Sequence, residues 1–370
     1  MAMSEQDISS PLQHQLAAAY EATTPLCIRG GNSKAFYGRP PIGELFDVSG
    51  HRGIISYEPT ELVITARAGT PLREIETALA EQQQMLAFEP PHLSDTATLG
   101  GTIACNLSGP RRPYCGAARD FILGTRILNG KGELLSFGGE VMKNVAGYDS
   151  SRLMAGALGT LGVLLDISLK VLPRAETELT LVHSGLTAQQ ALDHIHHCSA
   201  LPLPLSATAM VDDRLYLRLS GTDTGVQAAQ LQLGGDQLNT AVAERHWQQL
   251  KEQTHPFFQA AQPAQQQPRP LWRLSVASDT PPMALSGDWL YEWGGGQRWL
   301  ISDEAPSRIR QQAAAAGGHA TLYRHHSQDG THDDDVFQPL PAALLRLHQR
   351  LKLAFDPQGI LNPGRLYAGL

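Results

Sequence analysis

Cysteine is scarce. Cys27, Cys105, Cys115 and Cys198 are the only four in 370 residues, and no two stand at CxxC spacing. A disulfide framework, a zinc ribbon and an iron–sulfur cluster held by this chain are therefore not expected, and the four read as buried small residues. Long apolar runs are missing as well. The longest are strand-sized, so no segment is expected to enter a membrane. The first ten residues are polar and acidic, without the basic and apolar regions of a secretory signal, so a cytoplasmic protein is expected. Positive charge is in deficit: 29 Lys and Arg face 36 Asp and Glu, for a net charge of -7. Nothing basic enough to attract nucleic acid results.

Most catalytic signatures are absent too. There is no GxGxxG turn and no GxxxxGK[ST] loop; Gly130-Lys131-Gly132 has no Ser or Thr after its lysine and lies in a hairpin pattern. No HExxH, nucleophile elbow or Ser/His/Asp set can be assembled. His194, His196 and His197 read as part of a solvated helix. Ser327–Asp335, with His332 and three consecutive aspartates after it, reads as a solvated loop, so no metal is expected. Without an acid, base or nucleophile of its own, the chain must place any hard chemistry in a cofactor.

Glycine is plentiful, and it is concentrated. Between Glu89 and Val171 it falls in separated clusters: Gly100-Gly101, Gly109, Gly147, and Gly156, Gly159 and Gly162, interleaved with Thr98, Thr102, Asn106, Ser108, Asn144 and Thr160. Side-chain-free backbone among small polar groups lets a ligand press directly on amide N–H groups. A further nest follows the strand Leu26–Ile28, at Arg29-Gly30-Gly31-Asn32-Ser33.

Strands are expected at Leu45–Val48, Gly53–Tyr57, Leu62–Ala66, Phe121–Leu128 and Glu133–Phe137. A further strand, Gly162–Val171, should turn Val163, Leu165, Ile167 and Leu169 to one face. A first helix should open with Ser10 as N-cap, Pro11 at its first position and Gln13 completing a capping box. A second should start at Thr70-Pro71, with Leu72, Ile75, Leu79 and Leu86 as its stripe.

Past Pro173 the composition changes, and all five tryptophans lie there. The order is strand Leu179–His183, helix Ala188–Cys198, strands Ser206–Val211 and Arg214–Leu219, then helix Val226–Leu233. It suggests a ferredoxin-like sandwich. Gln259–Pro270 reads as a low-complexity loop. Strands Leu271–Ala277, Trp289–Trp293, Trp299–Ser302 and His319–Arg324 resume the sheet around helix Ser307–Ala316. A last helix, Ala342–Phe355, presents Leu344, Leu347, Leu351 and Phe355 on one stripe.

Several of these pieces, in this order, resemble the vanillyl-alcohol-oxidase, or PCMH-type, FAD-binding flavoproteins. They are Arg29–Ser33, Val63–Gly69, Thr98–Asn106, Lys143–Asp149, Gly159–Gly162 and the closing Phe355–Arg365 run. The resemblance implies an α+β fold: a two-subdomain PCMH-type FAD-binding domain (residues 1–173) with an inserted ferredoxin-like cap (174–330). The tail (331–370) would return to the FAD domain.

It implies FAD held along Arg29, Gly30, Gly31, Asn32 and Ser33; Pro90; Thr98, Leu99, Gly100, Gly101, Ala104, Cys105, Asn106, Ser108 and Gly109; Lys143, Asn144, Gly147, Tyr148 and Asp149; and Gly159, Thr160, Gly162 and Val163. Members with histidyl-linked flavin carry His where this chain has Asn32, so noncovalent FAD is expected. Cys115 shows no attachment pattern.

Within the family the chain is similar to accessory FAD subunits of complexes that oxidise small 2-hydroxyacids such as glycolate. That implies a larger catalytic flavoprotein subunit and an iron–sulfur subunit as partners, with any membrane association through them. The late His-Gly-Asp-Gly-Asn-like motif of substrate-oxidising members is not reproduced by His325, His326 or His332. Two rival readings stay open: a self-sufficient FAD-dependent 2-hydroxyacid dehydrogenase, and a structural subunit without cofactor.

Overall fold

Val163, Leu165, Ile167 and Leu169 are completely buried, and the strand that carries them is the centre of the first sheet. In the computed structural model, which describes residues 6–139, 149–262, 265, 268–324 and 336–370, the chain divides into two units. One comprises 1–107, 117–173 and 339–370; the other comprises 108–116 and 174–338. The segment Ser108–Gly116, expected from sequence in the first domain, belongs to the second unit.

In the first unit, helix α1 (Ser9–Ala22) leads to β1 (Leu26–Arg29), which pairs in parallel with β2 (Glu44–Asp47). Then come β3 (Ile54–Glu58), β4 (Val63–Arg67), α2 (Leu72–Glu81), α3 (Leu99–Cys105), β5 (Ile122–Leu128), β6 (Leu134–Gly138) and β7 (Val163–Lys170). They form an antiparallel sheet in the order β3-β4-β7-β5-β6. Strand β7 pairs with a strand along each edge, and residues of its second face (Leu164, Ser168) are buried as well. A core of Leu12, Leu16, Phe46, Leu128, Val163 and Leu165 joins α1 to this sheet, each such side chain contributing roughly 1.5–3 kcal/mol of burial.

Both helix starts differ from the sequence expectation: Gln13 and Thr70, expected in the caps, bond distant backbone groups. Helix α1 begins at Ser9, whose N–H donates to the Asp7 carboxylate at 2.8 Å, and the Ile8 N–H goes to His51 Nδ1 at 3.2 Å. Gln13 forms no capping box; its Nε2 donates to Gly132 O at 2.8 Å. With Nδ1 accepting, His51 must carry its proton on Nε2, which meets Asp166 at 3.0 Å. At α2, the Thr70 hydroxyl bonds the N–H and C=O of Gly53 and does not cap the helix. Leu86 lies past the helix end and is nonetheless buried.

The second unit is built on one eight-stranded antiparallel sheet. Its elements are β8 (Thr177–Ser184), α4 (Ala188–Ser199), β9 (Leu205–Val211), β10 (Arg214–Gly221), α5 (Asp223–Leu233), β11 (Asp236–Gln237), α6 (Thr240–Lys251), β12 (Leu271–Ser275), β13 (Asp288–Glu292), β14 (Gln297–Ile301), α7 (Pro306–Ala315) and β15 (His319–Arg324). The strand order is β11-β8-β10-β9-β13-β14-β12-β15. Numbering the strands of each half one to four, the first half reads 4-1-3-2 and the second reads 2-3-1-4. The sheet is thus two ferredoxin-like halves joined at β9 and β13. The sequence suggests only one sandwich because the second half has no helix between its first two strands. The Pro- and Ser-containing stretch 276–287 takes that place.

The tail returns to the first unit with a helix at Ala342–Phe355 whose expected apolar stripe is not what it buries. Leu344 and Leu347 are exposed, and the residue buried is Lys352. Its ammonium donates to Thr160 O (2.9 Å), Leu361 O (2.6 Å) and Asp356 Oδ2 (2.7 Å). Asp356 in turn accepts from the N–H groups of Ile360 (3.1 Å) and Leu361 (2.7 Å). A buried charge is tolerable only when paired and hydrogen-bonded in this way. The knot delivers Ile360–Asn362 to the edge of β1, where the Leu26 N–H donates to Ile360 O and the Asn362 N–H to Leu26 O.

Candidate functional site

The cleft grows out of the end of β1. After Arg29 the chain turns through Gly30 and Gly31 so close to a neighbouring loop that a Cβ on Gly31 would lie 1.4 Å from the Thr96 carbonyl oxygen. The Thr96 hydroxyl donates to Gly31 O, locking the approach. Asn32 follows at φ 59°, a left-handed conformation that Asn tolerates better than most residues. The amides of Gly30, Gly31, Asn32 and Ser33 have no partner among the described residues. Consecutive free amides around a left-handed residue form an anion-binding concavity.

The second glycine segment is not a loop. Gly100 and Gly101 lie in the first turn of α3, with Thr98 as N-cap. Its first amides are occupied: Leu99 N–H by Thr70 O (2.9 Å), Gly100 N–H by Ala68 O (2.7 Å) and Gly101 N–H by Thr98 Oγ1 (3.3 Å). Gly100 is needed for packing, since a Cβ there would meet Ala68 Cβ at 2.7 Å. Sequence reasoning misses this helix because seven residues with two glycines give no periodic signal.

Together these elements line an open cleft of about 110 Å³. Of the residues expected from sequence, Arg29, Gly30, Gly31, Asn32, Ser33, Thr98, Gly101, Ala104 and Cys105 line it. Cys27, Lys34, Leu158, Asn362 and Arg365 line it as well and are not expected from sequence as site residues. The last two sit in the closing Phe355–Arg365 run, which is the available signal. Asn362 braces the cleft by accepting from Ile28 N–H (2.7 Å) and donating to Leu158 O (2.7 Å). Arg365 gathers the carbonyls of Ala35 (2.9 Å) and Tyr37 (2.8 Å).

The remaining expected residues are placed elsewhere. Leu99 is buried beneath the cleft, and Asn106 ends α3 at φ 51°, its side chain accepting from Arg119 N–H. Gly159 faces Asn362, Thr160 offers its carbonyl to Lys352, and Gly162 and Val163 pack in the sheet. Pro90 is buried without lining the cleft. Asp149 caps the short helix Ser150–Leu153 and pairs with Arg152 at 2.9 Å. Ser108 and Gly109 fall in the second unit, where Gly109 O accepts from Trp293 Nε1 at 3.0 Å. Lys143, Asn144, Gly147, Tyr148, His325, His326 and His332 lie outside the described residues.

The electrostatics suit an anion. Arg29, Lys34 and Arg365 line the cleft and no carboxylate does among the described residues. Lys34 is buried, its ammonium held by His92 O (3.2 Å) and Ser33 Oγ (3.3 Å) at the base of the free-amide loop. Burial pushes the Cys105 thiol up to about 11, against the pull of the Lys34 and Arg365 cations. A thiol held protonated is a poor nucleophile, so it does not offer a covalent anchor. Cys115 lies in the second unit, its Sγ toward Gly116 O. A dinucleotide diphosphate fits this donor set: free amides, a lysine, and a glycine cradle that any Cβ would fill.

Known proteins of similar sequence and fold point to the same cofactor. Residues 9–138 match the FAD binding domain model and residues 301–366 match the model of FAD linked oxidases, C-terminal domain. The glycolate oxidase subunit GlcE of Escherichia coli K12 is 50% identical over 366 residues, 99% of each chain. The glycolate oxidase subunit GlcD of Bacillus subtilis 168 is 30% identical over 170 residues, 45% of this chain and 36% of that one. An alkyldihydroxyacetonephosphate synthase structure has the same fold, with a TM-score of 0.63 at 13% identity over 96% of this chain and 74% of that one. The chain belongs to the FAD-linked oxidase family, alongside glycolate oxidase subunit GlcE, and FAD is its cofactor.

Proposed function

We propose that this chain is the FAD-binding, accessory subunit of a complex that oxidises glycolate to glyoxylate. Its partners would be a larger flavoprotein subunit of the GlcD kind and an iron–sulfur subunit that passes electrons to quinone. The observation that carries the reading is the cleft at Gly30–Ser33, where, among the described residues, four amides beside Lys34 have no partner and no carboxylate lines the wall. Bound there, FAD would supply the hydride and electron acceptance that amino-acid side chains do not provide.

The chain's own residues bind and orient. The Gly30–Ser33 amides and Lys34 would hold the diphosphate, Thr98 and Ala104 would flank it, and Asn362 and Arg365 would keep the walls in register. Binding is noncovalent, supported by Asn32 in the diphosphate loop and the protonated Cys105 thiol. Any membrane association would come through partners; among the described residues no helix is long and apolar enough to cross a membrane.

The test is to purify the chain alone and co-expressed with its partner subunits. The isolated chain should show a flavin spectrum, release all of its flavin on acid precipitation, and turn over glycolate only in the complex. A flavin-free chain, flavin that stays with the precipitate, or robust turnover by the isolated chain would each overturn the reading.

A further inference from the structure

On the second unit's sheet, outside the FAD cleft, one arginine is held by a neutral side chain, with no ion-pair partner among the described residues. Arg273 on β12 donates its Nε–H to Gln297 Oε1 at 2.7 Å. Gln297 in turn donates to Glu292 Oε2 (3.0 Å), which also receives Trp299 Nε1 (2.6 Å). Gln297, Glu292 and Trp299 are all buried, so this chain of bonds is rigid. A neutral amide, not a carboxylate, touches the guanidinium. The nearest carboxylate of this network, Glu292, stands behind Gln297, and the two Nη groups of Arg273 have no hydrogen-bond partner among the described residues.

A second, independent feature marks the same spot. Trp293 is held at φ 55°, a left-handed conformation costly for a bulky residue. What keeps it there is its Nε1–H bond to Gly109 O and the Gly294 N–H bond to Thr208 Oγ1 at 2.9 Å. In that position its ring faces Arg273 at 5.2 Å and Arg112 at 4.4 Å. Strain retained at a position that orients two guanidiniums is the pattern of a ligand site. His319 starts β15 opposite Ser275, on the same sheet face as Arg273. The surrounding protein and the Arg273 cation hold its imidazole below the usual range, so at neutral pH it is an uncharged hydrogen-bonding group.

We infer that Arg273, oriented by Gln297 and by Trp293, is a receptor for a small carboxylate in the second unit. The planar guanidinium fork matches a carboxylate bidentately. The neutral His319 is suited to a hydroxyl or carbonyl on the adjacent carbon, which makes 2-hydroxyacids and their 2-oxoacid products the fitting class. The inference rests on the hydroxyacid reading above. It adds that this accessory chain itself recognises the acid group.

The experiment titrates the purified full chain with glycolate, with glyoxylate and with neutral glycolamide, following tryptophan fluorescence and calorimetric heat. Glycolate or glyoxylate should bind and glycolamide should not, the stronger of the two acids identifying the substrate or the product as the natural occupant. Arg273→Gln should weaken acid binding by at least about tenfold. Arg273→Lys, which keeps the charge and is the safer variant for folding, should still weaken it because the fork is lost. Gln297→Leu should weaken it less, as expected of a positioning residue. No acid-dependent signal in the wild type, equal binding of glycolamide, or undiminished binding by Arg273→Gln would overturn the assignment. Flavin content of the same samples reports on the first unit, so a failed FAD reading and a failed carboxylate site are told apart.

Discussion

The two glycine segments of the first unit look interchangeable as sequence and are opposites as structure. Gly30–Ser33 keeps its amides open and uses the missing side chains to bring backbone against Thr96. The other segment, Thr98–Asn106, is a capped helix whose first amides are satisfied within the protein and whose Gly100 serves helix-on-strand packing. Glycine content therefore does not locate a phosphate site. The test is whether the amides are free.

Three substitutions probe that contrast, the first with the largest effect. Gly31→Ala places a methyl inside the Thr96 carbonyl, so the loop must move. Flavin content should fall below about a tenth of wild type in protein that still shows native circular dichroism; full flavin content would break the contrast. Gly100→Ala should behave in the opposite way. It should lower unfolding free energy by about 1–3 kcal/mol, measured by urea titration, while the folded fraction binds FAD within about twofold of wild type. Loss of flavin without loss of stability would show that α3 contributes directly to binding. Lys34→Gln is milder still. It removes a charge-assisted contact but no backbone, and should raise the FAD dissociation constant by about tenfold, with a weaker dependence on salt. An unchanged constant would leave the amides alone as the diphosphate site.

Much of the fold was legible because periodicity reports burial directly. The clean alternation from Val163 to Leu169 marks the central strand, and Leu72, Ile75 and Leu79 mark α2. What escapes is whatever depends on a distant partner. Helix α6 (Thr240–Lys251) is not expected from sequence, although Asn239 caps it and Trp247 and Leu250 are its buried side. The final helix misleads because its leucines outnumber the lysine that it actually buries, and only Thr160, Leu361 and Asp356 together make that burial tolerable. The doubled sheet is hidden by the missing helix of its second half. In the site, Arg29–Ser33 and the α3 residues are readable from glycine and small polar groups. Asn362 and Arg365 act on Ile28, Leu158 and Tyr37 from the far end of the chain, a proximity no local pattern carries. Arg273 escapes notice because an arginine in a strand looks like surface until its neighbours are seen.

The Lys352–Asp356 knot has a consequence for biogenesis. Because it seats Asn362 and Arg365 against β1 and the 35–39 loop, one wall of the cleft is supplied by residues translated 334 positions after Ile28. A ribosome-bound chain still lacking them can assemble the sheet around β7 but has an open-ended cleft. With FAD in this cleft, as proposed above, loading is postponed until synthesis has passed Arg365, and a nonsense codon shortly upstream should yield a chain that folds in part and stays colourless.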